Sequence, residues 1–282
     1  MVRCNEVPHK KASINELEEK AHEARRLLAK TFEIAGGGHY GGCMSEIDVL
    51  TALYFRVLNV DPKRPKWEDR DRFVLSKGHG AGGLCAVLAL AGFFPVEDLS
   101  TYNQLDSPFG MHPDMNKIPG VDMSTGSLGL GICSAVGMAI AAKLDKKSWR
   151  VFSVLGDGEC HEGVVWEAAM AAGHYKLDNL IAIVDRNTLS MDGCTEEVMS
   201  LEPFKEKWEA FGWAVRSVNG HNMAEIVDAL EATPFEPSKP SLIIARTTKG
   251  KGISFIENRW DCHYAVFNEE QSERARKELE IC

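Results

Sequence analysis

The sequence has no apolar run approaching the roughly 20 residues that span a bilayer, and its first residues lack the apolar core of a signal peptide. Its eight cysteines include no C-x-x-C pair, which favours reduced thiols over a disulfide framework. The net charge is −9, and no Lys/Arg cluster alternates with aromatic residues. We therefore expect a soluble cytoplasmic protein that binds neither nucleic acid nor membranes.

Several catalytic motifs are also missing. There is no H-E-x-x-H and no cysteine pairing to build a zinc site, and no G-x-S-x-G to present a serine nucleophile. The Walker A pattern of nucleoside triphosphate sites does not occur either. Any catalytic or binding site in this sequence is therefore expected to be of another kind.

Apolar periodicity predicts an α/β fold with a mostly parallel sheet and helices on both faces. The 282 residues contain no repeat or linker, so we expect one domain over 1–282, with residues 1–12 polar and frayed. A first helix runs from Ile14 to the Gly36 stop, and Ser45 with Asp48 predicts a capping box that opens a second helix over 46–58. Strands are predicted at 72–76, 151–155, 180–184, 213–218 and 241–245, and further helices at 81–91, 132–144, 164–175, 203–211, 223–232 and from Asn268. Residues 100–125 are aperiodic and rich in Pro and Gly.

Polar residues follow two of these strands. Gly156-Asp157-Gly158 comes directly after 151–155, and Asp185-Arg186-Asn187 comes after 180–184. Parallel strands would bring the Asp157 carboxylate and the Asn187 carboxamide to one edge of the sheet. Such oxygens are ligands for a hard cation such as Mg²⁺, which usually completes its shell with phosphate and water. The two glycines allow a sharp turn and close approach of an anion.

Four of the nine histidines lie in Gly- or Pro-rich breaks, where active-site side chains concentrate. They are His39, His79, His112 and His263. Imidazole titrates near pH 6.5, so these residues are candidates for proton transfer. His221, in Asn219-Gly220-His221-Asn222, fits a turn that caps the next helix.

Longer motifs surround these residues, and together they resemble the N-terminal, diphosphate-binding half of a transketolase, a thiamine diphosphate enzyme. The Gly156-Asp157-Gly158 to Asn187 spacing is typical of thiamine diphosphate enzymes in general. Motifs that resemble transketolases in particular are Gly37-Gly38-His39, Ser76-Lys77-Gly78-His79, His112-Pro113-Asp114, Pro119-Gly120-Val121, Thr125-Gly126-Ser127-Leu128-Gly129, Glu162-Gly163 and Trp166-Glu167-Ala168. The resemblance extends from about Ile14 to His263 and implies the thiamine diphosphate-binding fold.

The resemblance implies a role for each matched residue. Asp157, the Asn187 side chain and the Leu189 carbonyl would hold Mg²⁺, with Ca²⁺ or Mn²⁺ as alternatives. The residues implied to bind thiamine diphosphate are Gly126, Leu128, Gly156, Asp157, Gly158, Glu162, Asn187, His79 and His263. The implied catalytic residues are His39, His79, His112, His263 and Glu162, where His39 and His112 contact sugar hydroxyls. Glu162 and Glu167 would join an acidic network at a subunit interface.

The resemblance further implies transfer of a two-carbon ketol unit from a ketose or ketose phosphate to an aldose. Transketolases continue into a pyrimidine-binding domain and a C-terminal domain, which this sequence does not contain. We expect a separate C-terminal subunit to complete the site, in an α2β2 heterotetramer. Alternatives are another thiamine diphosphate component, either a synthase or a 2-oxo acid dehydrogenase, and a non-catalytic regulatory subunit.

Four positions depart from the family pattern: Pro108, Met111, Leu130 and Tyr264. Each makes the expected sugar channel more crowded or less polar. These departures leave two classes of donor open: an ordinary pentose phosphate, and a modified ketose phosphate or sulfonate.

Overall fold

The computed structural model describes residues 11–281 and contains a parallel five-stranded sheet. The strands are β1 (Arg72–Leu75), β2 (Val151–Gly156), β3 (Leu180–Arg186), β4 (Ala214–Asn219) and β5 (Ser241–Arg246), arranged in the order β1-β2-β3-β5-β4. Every neighbouring pair is parallel. The predicted α/β class is confirmed, whereas the prediction for residues 1–10 lies outside the described residues.

Helices cover both faces of the sheet, as predicted. They are α1 (Ile14–Ile34), α2 (Tyr40–Ala52), α3 (Ala81–Leu90), α4 (Leu130–Leu144), α5 (Gly163–His174), α6 (Thr195–Val198), α7 (Phe204–Ala210), α8 (Met223–Glu231) and α9 (Glu269–Glu278). Two apolar cores result, because successive side chains of a strand point to opposite faces. Phe152 and Val154 pack with α1, α2, α3 and α8, whereas Val151 and Leu155 pack with α4, α5 and α7. No helix of the described chain has the length and apolar character to cross a membrane.

The first helix illustrates how local sequence sets its bounds. Ser13 caps α1: its Oγ accepts from the Glu16 N–H at 3.3 Å, and the Glu16 carboxylate accepts from the Ser13 N–H at 2.7 Å. This reciprocal pair is a capping box. The helix ends just before Gly36, whose φ of +76° places it in the left-handed region that favours glycine.

The predicted start of the second helix is wrong. Helix α2 begins at Tyr40 instead of after Ser45, and it ends at Ala52, where a π-turn from Leu53 to Val57 follows. Ser45 is fully buried within the helix, and its Oγ lies 2.6 Å from Asp185 Oδ2. The glycines that suggested a loop instead allow close packing: a Cβ on Gly41 would lie 2.8 Å from Lys249 Cε. Tertiary packing therefore overrides the local capping signal.

Between Tyr102 and Gly129 the chain forms turns without regular strands or helices, as the sequence predicts. Gly129 adopts φ +82° at the N-cap of α4. This segment and the loops after β1, β2, β3 and β5 meet at the carboxyl edge of the sheet, where α/β proteins bind their ligands.

Candidate functional site

A cleft of about 300 Å³ lies at the carboxyl edge of β2 and β3. It forms there because Gly156 of β2 pairs in register with Asp185 of β3, so the loops that follow are neighbours. Nine predicted site residues line it: His79, Leu128, Gly156, Asp157, Gly158, Glu162, Asn187, Leu189 and His263. The other three, His39, His112 and Gly126, lie outside this lining.

Asp157 is buried at the floor of the cleft. Its Oδ1 accepts from the Gly158 N–H at 2.8 Å, while Oδ2 accepts from the Thr188 N–H at 2.5 Å and from Arg186 at 3.2 Å. Burial, reinforced by Asp185, raises the pKa of Asp157, and Arg186 and the two N–H groups oppose that shift. The fixed orientation presents a carboxylate beside the cleft.

Asn187 and Leu189 supply further oxygen atoms to the same cleft. The Asn187 side-chain oxygen accepts from the Leu189 N–H at 3.1 Å, and its amide nitrogen lies 3.4 Å from Asp185 Oδ2. Thus a residue with a carboxylate, one with a carboxamide and one whose main-chain carbonyl could serve as a ligand line the same cleft, and oxygen atoms of these kinds suit a hard cation. No cluster of three or more His, Cys, Asp or Glu side chains suited to a metal occurs among the described residues.

Two buried lysines were not among the predicted site residues. Lys77 Nζ lies 2.5 Å from Asp185 Oδ2, 3.0 Å from Glu46 Oε2 and 2.9 Å from the Gly42 carbonyl. Burial raises the pKa of Glu46 to about 8 despite Lys77. Burial also acts on Asp185, but Lys77 and hydrogen bonds from Lys77, Ser45 and Thr247 outweigh it and lower that pKa. Lys77 is therefore engaged by acidic partners.

Lys249 has different surroundings. Its Nζ donates to the carbonyls of Leu189 at 3.0 Å and Ser190 at 2.7 Å, and lies 3.2 Å from His263 Nδ1. Burial lowers the pKa of Lys249 to about 8. Its position four residues after the predicted strand 241–245 was the one sequence signal that could have revealed it. Asp157 and Asp185 oppose this lowering of the pKa, but the direct hydrogen-bond partners of the Lys249 ammonium are neutral, and an ammonium of this kind inside a cleft attracts an anion.

Three histidine rings cluster beside the cleft. The centroids of His79 and His263 are 4.8 Å apart, and His39 lies 5.5 Å from each. Burial, with added repulsion from His112, lowers the pKa of His39 to about 4, and burial with Lys249 lowers that of His263 to about 3. The pKa of His79 is also lowered by burial and by Lys77. All three imidazoles are therefore neutral at pH 7.

His112 and Gly126 lie together on the irregular segment. A Cβ on Gly126 would come 3.6 Å from the His112 ring, which is exposed. Glu162 and Glu167 are exposed at the start of α5. The structure thus places His112 near the histidine cluster and leaves both glutamates accessible.

Glu159 is a further residue that the sequence reasoning missed. Its carboxylate accepts from the N–H groups of Gly129 at 2.8 Å and Gly156 at 3.0 Å, and from the Ser76 hydroxyl. Ser76 Oγ in turn accepts from the Ile132 N–H at 3.0 Å. One buried carboxylate therefore joins the ends of β1 and β2 to the start of α4.

Two glycines shape the cleft. A Cβ on Gly42 would lie 3.5 Å from His79 Nε2 and 3.7 Å from Lys77 Nζ, and one on Gly158 would lie 3.3 Å from Ser190 Cβ. Any larger residue would narrow this cradle. With these oxygen-bearing groups and the Lys249 ammonium lining one cleft, the fold and site define an α/β domain with a site for an anionic ligand at the carboxyl edge of its sheet.

Comparison with known proteins identifies the family. The family described as "Transketolase, thiamine diphosphate binding domain" matches residues 17–281. The chain is 47% identical over 265 residues to the 6-deoxy-6-sulfo-D-fructose transketolase subunit SqwG of a Clostridium species, covering 94% of this chain and 96% of that protein. It is 46% identical to an apulose-4-phosphate transketolase subunit from Actinobacillus succinogenes, with 95% and 97% covered. This chain belongs to the transketolase family, as its thiamine diphosphate-binding part.

A solved structure agrees with this assignment. Transketolase from Campylobacter jejuni matches with a TM-score of 0.89 and 36% identity over 95% of this chain, but only 43% of that chain is covered. This chain therefore spans about two-fifths of the longer protein, whereas it spans nearly all of the two relatives named as subunits. The predicted resemblance to an N-terminal transketolase subunit is confirmed.

Proposed function

We propose that this chain is the N-terminal subunit of a split, thiamine diphosphate-dependent transketolase that transfers a two-carbon ketol unit from a ketose to an aldose. The observation that carries the proposal is the cluster of His39, His79 and His263 beside the cleft that contains Asp157 and Asn187. Neutral imidazoles next to a cofactor cleft suit proton transfer to and from sugar hydroxyls. The subunit names of the relatives of equal length support the split arrangement.

In this proposal Asp157, Asn187 and the Leu189 carbonyl hold Mg²⁺, or Ca²⁺ or Mn²⁺ in its place. Lys249 faces the cofactor's negative charge, and the residues proposed to contact its other parts are Gly126, Leu128, Gly156, Gly158, Glu162, His79 and His263. When bound, thiamine diphosphate supplies the carbon nucleophile and electron sink that carbon–carbon cleavage needs. The protein's own contribution is to orient the substrate, exclude water and move protons.

We assign the proton transfers to the histidines. His39 and His263 are neutral at pH 7, because burial lowers both pKa values, so either ring can accept a hydrogen bond from a donor hydroxyl. His79, half-buried beside them, supports the same site. His112 is exposed on the other side of Gly126 and suits contact with hydroxyls of the sugar chain.

The substrate we propose is a ketose with a modified, anionic end, either a phosphate or a sulfonate. Two relatives are named for 6-deoxy-6-sulfo-D-fructose and for apulose 4-phosphate, which supports this class. Tyr264 packs edge-on against His39, with centroids 5.2 Å apart, and Met111 is exposed beside His112. Both side chains reduce the polarity of the approach to the histidines.

We propose further that residues 1–282 form one domain that assembles with a C-terminal subunit, carrying the pyrimidine-binding domain, as an α2β2 heterotetramer in the cytoplasm. Exposed Glu162 and Glu167 support a partner at the start of α5. The six described cysteines are free thiols, which supports a reducing compartment.

The direct test uses the chain co-expressed with the product of the adjacent open reading frame. Calorimetry of the purified pair measures thiamine diphosphate affinity with and without Mg²⁺, and a ketol-transfer assay then screens ketose sulfonates and phosphates. We expect Asp157→Ala to weaken metal-dependent binding by more than about tenfold, because it removes a proposed ligand. Asp228→Ala, on the exposed face of α8, is the matched control.

Unchanged affinity in Asp157→Ala would remove this carboxylate from the metal site. Absence of thiamine-dependent ketol transfer by the wild-type pair, with any of the donors screened, would overturn the proposed reaction.

A further inference from the structure

A row of buried polar side chains connects two helices to the loop that carries Lys249. Arg25 of α1 donates to both oxygens of Asp48 of α2, at 2.9 and 2.6 Å. Asp48 Oδ2 lies 2.7 Å from His221 Nδ1, and the Thr248 N–H donates to His221 Nε2 at 2.8 Å. The row ends one residue before Lys249.

The hydrogen bonds fix the protonation of His221. A main-chain N–H can only donate, so Nε2 must be the acceptor for Thr248. Nδ1 then carries the hydrogen and donates to Asp48. Asp48 remains a carboxylate because, although its burial acts in the opposite sense, Arg25 and His221 lower its pKa to about 2. His221 is thereby held as one neutral tautomer, with its ring in one orientation.

Neighbouring contacts show why the Thr248 bond matters to the cleft. The residue before it, Thr247, donates its N–H to the Arg186 carbonyl at 3.2 Å, and Gly250 donates to the Gly41 carbonyl at 2.9 Å. The intervening Lys249 points its ammonium into the cleft, toward Leu189 and Ser190. Between those two points the Lys249 carbonyl accepts from the Asn258 N–H at 2.9 Å, and the Thr248 N–H is held by the side chain of His221.

His221 itself does not line the cleft. A purely local role, as the cap of α8, is already filled by its neighbour: Asn222 Oδ1 accepts from the Glu225 N–H at 3.2 Å and Asn222 caps the helix. The ring of His221 instead makes its hydrogen bonds with Asp48 and Thr248. An imidazole that is fixed by hydrogen bonds, and that does not itself contact the ligand, commonly holds a ligand-binding group in place.

We propose that His221 is a positioning residue, which transmits the rigidity of the Arg25–Asp48 pair to Thr248 and so holds the Lys249 ammonium where it meets the anionic part of the cofactor. The functional half of this statement rests on the proposed thiamine diphosphate site. The structural half concerns only Lys249 and can be measured without any cofactor.

The chain offers a pair of substitutions that separates the two hydrogen bonds of His221. In His221→Gln the side-chain amide extends to the former Nε2 position and retains an acceptor for Thr248. In His221→Asn the shorter amide reaches the position of Nδ1 and retains only the contact with Asp48. Asn222→Ala is the matched control, since it removes the helix cap but none of the bonds in the row.

The first measurement is hydrogen–deuterium exchange of the main-chain amides of the chain without cofactor. We expect exchange at residues 248–250 to accelerate in His221→Asn, because the Thr248 N–H loses its acceptor. His221→Gln should restore slow exchange, and Asn222→Ala should lower Tm without changing exchange at residues 248–250.

The second measurement is calorimetry of thiamine diphosphate with Mg²⁺ in the reconstituted pair. We expect His221→Asn to weaken binding about tenfold, the effect typical of residues that orient ligands, and His221→Gln to bind nearly as the wild type does. If His221→Asn leaves the exchange rates of residues 248–250 unchanged, or if Asn and Gln behave alike, the inference is wrong. A wild-type pair that binds no thiamine diphosphate, while exchange at residues 248–250 still responds to His221→Asn, would refute the proposed function instead.

Discussion

Replacing Glu159 by Gln tests whether one carboxylate joins the loops around the cleft. Glu159 is 2% exposed, and its two oxygens receive two main-chain N–H groups and one hydroxyl. Gln has the same shape but only one acceptor oxygen, and its amide nitrogen is a donor. Whichever way the amide turns, its NH₂ group faces the N–H of either Gly129 or Gly156.

The expected effect follows from that mismatch. A buried donor left without an acceptor costs about 1–3 kcal/mol. Burial raises the pKa of Glu159, so its charged form is itself disfavoured, and part of the cost is offset when Gln removes the charge. At roughly 2–4 °C per kcal/mol, the conversion for chains of about 150–250 residues, this cost corresponds to a fall in Tm of about 2–12 °C, and the offset places the expected fall in the lower half of that range.

Differential scanning calorimetry at pH 7 measures this change. Glu19→Gln is the control, because Glu19 is exposed on α1 and its substitution removes the same charge. Amide exchange at Gly129 and Ile132 should also be faster in Glu159→Gln, since Ser76 connects the carboxylate to Ile132. A Tm indistinguishable from that of Glu19→Gln would refute the claim that Glu159 joins these loops.

Two further predictions concern pH. Because the pKa of Lys249 is lowered to about 8, its ammonium loses its charge as pH rises through that value, and the affinity for thiamine diphosphate should fall. Calorimetry of the reconstituted pair on either side of pH 8 measures this fall. The fall should be absent in Lys249→Met. Because the pKa values of His39 and His263 are lowered to about 4 and about 3, the folded state rejects protons that unfolded imidazoles bind below pH 6.5. Stability should therefore decrease as pH falls from 6.5 toward 4. Urea midpoints across this range should change less in the double variant His39→Gln/His263→Gln, and an equal slope would contradict the assignment.

The parts of the fold that periodicity controls were predictable from the sequence. The run that became β3 is buried at all seven positions, and α1 carries both its cap and its apolar face in its own residues. The placement of Asp157 and Asn187 in one cleft was also predictable, because neighbouring parallel strands have their carboxyl ends at the same edge of the sheet. The bounds of α2 did not follow, because its glycines are helical only where Lys249 and His79 pack against them.

The buried charged residues near the cleft were not predicted from the sequence, and the reason is physical. From the sequence alone, a lysine is predicted to be exposed to solvent unless the group that it pairs with is known. The carboxylate that holds Lys77 is 108 residues away, and the carbonyl that receives Lys249 is 60 residues away. No local sequence pattern indicates a contact between residues so far apart in the chain. Glu159 was missed for the same reason, because its hydroxyl donor Ser76 is 83 residues away.

The two buried lysines nevertheless serve different ends. Lys77 lies between Asp185 and Glu46, so its charge is already balanced and its part is to hold β3 against α2. Lys249 contacts two carbonyls and a neutral imidazole, none of which cancels its charge. Burial penalises that charge, as the lowered pKa records, and an incoming anion relieves the penalty. We therefore expect the affinity of the cleft for a diphosphate to depend on keeping the Lys249 ammonium poorly solvated. This in turn requires a rigid Lys249 loop, which the hydrogen bond from Thr248 to His221 supports.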